Sequence, residues 1–180
     1  MSLISNSRLS PGGLESCKDY FIRKWSMFIE QAKIEDAEEI LNLQKLAYQS
    51  EAEIYDDYTL PPLTQSIREI EAEFEDHTFL KALCEDGRII GSVRAYVEQG
   101  TCFIGRFIVH PDFQNQGVGT SLMHEIEGRF KDVKRFELFT GHLSERSIYL
   151  YHKLGYQEFK REKIHDNLEL VYLEKTNEKA

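Results

Sequence analysis

Arg106-Phe107-Ile108-Val109-His110-Pro111-Asp112-Phe113-Gln114-Asn115-Gln116-Gly117-Val118-Gly119-Thr120 is the stretch that decides the fold. It leaves an apolar strand, turns at a proline, crosses a polar loop with two glycines and enters a helix. Val118, Leu122, Ile126 and Phe130 recur at intervals of four and give that helix one apolar face for a sheet. A helix that starts in such a loop has no internal acceptor for its first amides. Those N–H groups, with the positive end of the helix dipole, form an anion site whose usual occupant is a phosphate. Gly117 and Gly119 are read as keeping Cβ atoms away from a bulky diphosphate. Two common nucleotide loops do not fit. A P-loop needs a Lys after its second glycine, whereas Val118 and Thr120 follow the glycines here. A dinucleotide loop needs a third glycine three residues beyond Gly119, where this chain has Leu122.

Outward from the loop, the pattern alternates. A short strand is predicted over 27–32 and a helix over 35–49, where Ala37, Ile40, Leu41 and Ala47 follow the helical period. Residues 51–63 read as a polar connection ending in Pro61-Pro62, a pair expected to keep that region non-helical. Ser66 and Glu69 have capping-box spacing ahead of the apolar stripe Ile67, Ile70 and Phe74. Strands over 78–84 and 88–97 flank Asp86-Gly87, a hairpin turn, and Gly100 leads into a third strand over 101–109. A helix over 117–130, a strand over 135–139, a helix over 144–154 and strands over 156–160 and 168–173 complete the chain. Antiparallel strands followed by strand-helix-strand predict an α+β, three-layer fold: a mixed, mostly antiparallel central sheet flanked by helices.

Composition narrows the function classes. The 180 residues, 41% hydrophobic and 29% charged, suit one globular domain with a sizeable core. A net charge of -9 opposes nucleic-acid binding, which needs a basic footprint. No apolar run reaches the ~20 residues of a membrane span, and the start lacks a secretory signal, so a cytoplasmic protein without a membrane partner is expected. Cys17, Cys84 and Cys102 match no zinc spacing; Cys84 and Cys102 read as core thiols, and no metal is expected. Residues 1–26, rich in Ser, Gly and Pro and then aromatic and basic, read as a disordered leader or upstream segment before a domain over 27–180.

A second motif follows downstream. In Ser144-Glu145-Arg146-Ser147-Ile148-Tyr149-Leu150-Tyr151-His152-Lys153-Leu154-Gly155-Tyr156, a helix brings Ser144, Ser147 and Tyr151 to one side, and Gly155 supplies a left-handed stop. With the Gln-x-x-Gly-x-Gly loop ahead of it, this chain resembles the GNAT superfamily of N-acetyltransferases over roughly residues 27–175. One departure is Ser144, where the family commonly has Asn.

The resemblance implies a GNAT-like acyl-CoA N-acyltransferase fold and acetyl transfer from acetyl-CoA, as co-substrate, to a primary amine of a small molecule or protein. The diphosphate would lie on the backbone of Gln116, Gly117, Val118, Gly119 and Thr120, beside Gln114 and Asn115. Pantetheine would run along Ile108 and Val109 like an added strand, with Ser144 and Ser147 near it. Tyr151, by the same analogy, would protonate the departing thiolate. The general base stays open among His142, Glu98, Glu51, Glu53, Asp56 and Asp57; His110 reads as a turn residue. Residues 51–63 fall where relatives bind the acceptor, and a homodimer is expected by analogy. The alternative is a module that binds acyl-CoA without catalysis, since no base is recognisable and the usual Asn is missing.

Overall fold

The computed structural model describes residues 27–177; the expected leader over 1–26, with Cys17, lies outside the described residues. Seven strands form one sheet in the order β1-β2-β3-β4-β5-β7-β6. They are β1 (Phe28–Gln31), β2 (Thr78–Leu83), β3 (Ile89–Glu98), β4 (Thr101–Val109), β5 (Arg135–Gly141), β6 (Gln157–His165) and β7 (Leu168–Thr176). All neighbours pair antiparallel except β4 and β5, which are parallel. Four helices, α1 (Ala37–Ala47), α2 (Gln49–Tyr55), α3 (Pro61–Thr64) and α4 (Ile67–Glu73), lie between β1 and β2. α5 (Val118–Arg129) joins β4 to β5, and α6 (Glu145–Lys153) joins β5 to β6. The expected mixed sheet with helices on its faces is what forms.

Each face has its own core. Leu122, Met123 and Ile126 of α5 are sealed against Leu80, Val93, Ala95, Ile104 and Leu138. Burial of such side chains contributes roughly 1.5–3 kcal/mol each. On the other face Ile40, Leu41, Leu43 and Ile70 pack on Phe79, Ile89 and Ile108. Cys84 and Cys102 are buried free thiols, as read from the sequence, and burial pushes Cys102 up to about 12.

The stretch over 51–63 is more helical than its composition suggests. α2 runs through Glu51, Glu53 and Tyr55, and α3 begins on Pro61 itself. Proline is tolerated there because the first helical residues need no N–H donor, which corrects the expectation of a non-helical pair. A buried polar chain holds this segment down. Gln44 Nε2 donates to Pro62 O (2.8 Å) and Gln65 Oε1 (2.9 Å), Gln65 Nε2 donates to Glu73 (2.7 Å), and Glu73 pairs with Arg94 on β3. Burial lowers Arg94 to about 10, opposed by the Glu73 charge. β6 extends past its predicted end to His165 and is exposed at every position, so it carries no apolar alternation for a reader to find.

The decisive irregularity lies in β4. Its register with β3 steps from Arg94↔Gly105 to Ser92↔Ile108, so Val93 faces two residues, and Arg106 takes a left-handed φ of 46°. This bulge reverses the alternation: Ile104 and Phe107 both meet the α5-side core, while Ile108 turns to the other. Bulges bend the strand that carries them. Parallel pairing with β5 stops at Phe103↔Glu137, and residues 104–109 and 138–141 run on unpaired with each other, leaving a seam between the strands.

Candidate active site

The seam is flanked by two helix starts. On the β4 side the chain makes a 3-10 turn at Pro111–Phe113, and Gly117 caps α5 at φ 87°. Ser121 N–H is the first to bond back, to Gly117 O at 3.0 Å. The amides from Asn115 to Thr120 meet no acceptor among the described residues. Nothing lies within 4 Å of where a Gly117 Cβ would stand, so the loop is open outward there. Gly119 has another reason to be glycine: its Cβ would come within 2.6 Å of Phe107 Cζ. That position is small for packing inward, which corrects the reading that it keeps a diphosphate clear. Val118 turns into the core.

Backbone direction follows from the β3 pairing. His110 N–H donates to Ile90 O (2.8 Å), so alternation turns the Val109 amide away from β3 and into the seam. Ile108, by contrast, is buried in the α1-side core. Gln114 spans the seam: its Oε1 accepts from Arg146 Nη1 of α6 (2.5 Å) and its Nε2 reaches Val109 O (3.5 Å). Gln116 Nε2 braces the loop on Asp112 O (2.8 Å), and Asn115 takes a left-handed φ of 60°.

On the β5 side the groups are bound to one another. Ser144, 3% exposed, donates its hydroxyl to Glu51 Oε2 at 2.5 Å and lies 3.4 Å from Tyr55 Oη. Tyr55 Oη in turn accepts Leu143 N–H at 2.7 Å. Ser144, expected to reach a pantetheine, therefore has its hydroxyl committed to α2. Ser147 is half-buried, and Tyr151 lies buried beside Phe107 (ring centroids 6.2 Å) and Tyr156 (6.1 Å). Tyr149, by contrast, is 70% exposed. Burial pushes the Tyr151 phenol far above its ordinary value, with the charges of Tyr48 and Glu51 adding to it.

The seam thus has undonated amides on one wall and a buried phenol on the other. The acetyltransferase (GNAT) family model matches residues 37–156. The chain belongs to the GNAT acetyltransferase family. Among curated proteins, UPF0157 protein YqkA of Bacillus subtilis (strain 168) is 27% identical over 131 residues, which is 73% of this chain and 37% of YqkA. The GNAT chain thus spans little more than a third of that relative's length.

Solved structures share the fold. PaiA N-acetyltransferase from Thermoplasma acidophilum, in complex with coenzyme A, has a TM-score of 0.69 at 19% identity, covering 84% of this chain and 99% of that one. The ribosomal-protein-S18-alanine N-acetyltransferase from Escherichia coli gives 0.71 at 15%, covering 86% and 96%. YncA from Salmonella typhimurium, with its cofactor acetyl-CoA, gives 0.69 at 17%, covering 86% and 96%.

The base candidates of this GNAT chain separate by position. Glu98 pairs with Thr101, at the opposite end of β4 from Val109, about 26 Å away at strand rise. His142 has its Nδ1 engaged by Glu169 N–H (3.1 Å). Asp57 accepts from Thr59 N–H (2.8 Å) and Thr59 Oγ1 (2.6 Å), and faces His165 at 3.5 Å. Glu53 and Asp56 are exposed, and His110 accepts Asp112 N–H as a turn residue. Tyr48 and Glu51 lie within electrostatic reach of Tyr151, Ser144 links Glu51 to Tyr55, and Arg106 stands beside Tyr48. The i, i+3, i+7 spacing of Tyr48, Glu51 and Tyr55 was the signal available in the sequence. The helix predicted over 35–49 ends between Tyr48 and Glu51 and hides that spacing. Among the described residues, no group of three His, Cys, Asp or Glu could hold a metal, and no helix is long and apolar enough to cross a membrane.

Proposed function

We propose that this protein transfers the acetyl group of acetyl-CoA to a primary amine, by direct attack in a ternary complex. The observation that carries this reading is the run of undonated amides at the α5 start, set beside the Val109 amide at the seam. The amides of Gln116 to Thr120 suit the diphosphate, and the exposed edge of residues 108–109 suits pantetheine. Val109 N–H faces where the thioester oxygen would lie and would bind the charge that develops on it. PaiA with coenzyme A and YncA with acetyl-CoA lend support through the shared fold.

The amine must lose a proton before attack, at a cost of about 4.6 kcal/mol at pH 7 for an alkylamine of pKa ~10.4. The departing thiol has a pKa of ~8.5, so a phenol raised above ~10 is the weaker acid. Tyr151 therefore binds the leaving sulfur through its O–H and relays a proton to it, a narrower role than simple acid. Tyr151→Phe should lower turnover about 100-fold while acetyl-CoA affinity stays within about threefold. Thiol release across an amine panel, with calorimetry on the same sample, checks both. Unchanged turnover removes Tyr151 from the mechanism.

The second reading, an acyl-CoA-binding module without catalysis, is favoured by the commitment of Ser144 to Glu51. Tight acetyl-CoA binding with no thiol release for any amine would establish it.

A further inference from the structure

Glu51 reaches the seam as a half-buried carboxylate with no ion-pair partner among the described residues. Its Oε2 receives the Ser144 hydroxyl, while Oε1 has no partner among those residues. Tyr55, one helical turn further along α2, is clamped by Leu143 N–H, so α2 cannot lift away without breaking a buried contact. Through Ser144 the carboxylate is joined to the Tyr55 hydroxyl, and its charge reaches Tyr48, Tyr55 and Tyr151. The groups facing it are Tyr48 at the α1–α2 junction, Tyr55 on its own helix, and Ser144 and Tyr151 of the α6 segment. Arg106 of β4 stands beyond Tyr48, and the His142 ring lies 5.7 Å beyond Tyr55. A partly desolvated carboxylate lacking a cation is costly by itself and is compensated by a cation that binds beside it.

We propose that Glu51 is the catalytic base and that the acceptor is a cationic alkylamine whose ammonium binds to Glu51 Oε1; this rests on the acetyl-transfer reading above. Glu51 takes one proton from R–NH3+. The freed lone pair forms the N–C bond to the acetyl carbonyl carbon, and the C–S bond breaks with its electron pair going to sulfur. A second proton leaves the nitrogen and reaches sulfur through the Tyr151 hydroxyl, which gives one proton and takes one. Glu51 then releases its proton to water, so the products are the acetamide, the free thiol and H+.

The test uses the full chain, acetyl-CoA and a panel of butylamine, spermidine and Nα-acetyl-lysine, with thiol release followed from pH 6 to 9. With the best amine, Glu51→Gln should lower turnover about 100-fold at pH 7 and regain it about tenfold per pH unit, as the amine loses its proton unaided. Calorimetry on the coenzyme A complex should show amine affinity falling about tenfold and coenzyme A affinity unchanged. Glu51→Asp, which keeps the charge, should restore part of both quantities; it also serves as the readout should the Gln variant fail to fold. A Glu51→Gln protein with the native pH profile and amine affinity overturns the assignment. So does a loss in which coenzyme A affinity falls as far as amine affinity. Native protein that binds acetyl-CoA yet releases thiol with no amine refutes the acetyl-transfer reading itself, and this assignment with it.

Discussion

The helices on either side of the seam are entered differently. At α5, Gly117 turns the chain with φ 87° and the amides up to Thr120 meet no acceptor among the described residues. At α6, Leu143 N–H goes to Tyr55, Ser144 N–H to Gly141 O and the Ser144 hydroxyl to Glu51. One start presents bare backbone. The other, in the two residues just ahead of the helix, gives the Leu143 N–H and the Ser144 hydroxyl to side chains of α2, and so fixes a carboxylate and a phenol in place. A shared topological device, helix after strand, yields a bare backbone surface or a rigid mount according to whether neighbouring side chains reach the residues that lead into the helix.

That contrast can be broken at its mount. Gly141→Ala would drive a Cβ onto the Tyr55 hydroxyl and to 2.6 Å from Tyr55 Cζ. We expect a stability loss of about 2–3 kcal/mol, read by urea unfolding, with acetyl-CoA affinity within about threefold. An equal collapse of acetyl-CoA affinity would show that the two starts are not independent. A smaller effect is expected at the other side. Gly117→Ala meets no atom within 4 Å, so its cost is the positive φ alone. That is about 1–2 kcal/mol, with acetyl-CoA binding weakened about tenfold if the loop relaxes to relieve it; calorimetry and thermal unfolding separate the two. If both affinity and stability were unchanged, the loop geometry would be irrelevant to the anion site.

The smallest effect concerns acid. Hydrogen bonds from Thr59, with the nearby His165 charge, hold the Asp57 carboxyl below its usual range. A lowered folded value means that its contribution is complete above the unfolded pKa of ~3.9 and is lost as pH falls through the folded value. Thermal unfolding from about pH 5 down to about pH 2 should therefore show a decline that Asp57→Asn makes shallower, with acetyl-CoA affinity at neutral pH unaltered.

Much of this molecule was legible in one dimension. The apolar stripe of α5, the Asp86-Gly87 hairpin and the capping box at Ser66 act within about four residues of chain, and all appear where expected. The α5 start was legible for the same reason, since undonated amides are a property of where a helix begins. Other features were beyond such a reading. Gly119 is small because of Phe107, Ser144 turns aside because of Glu51, 93 positions earlier, and the Pro62 carbonyl is held by Gln44, 18 positions earlier. β6 forms on a strand with no buried position, held by its pairing to β7.

Local propensity, capping and periodicity are short-range, so residue order alone set which segments coil, which extend and where a helix leaves bare N–H groups. The bulge in β4, and the meeting of Glu51 with Ser144 at the seam, came from packing between distant segments. Such contacts form only once the layers close and exclude water, and no interval along the chain encodes them.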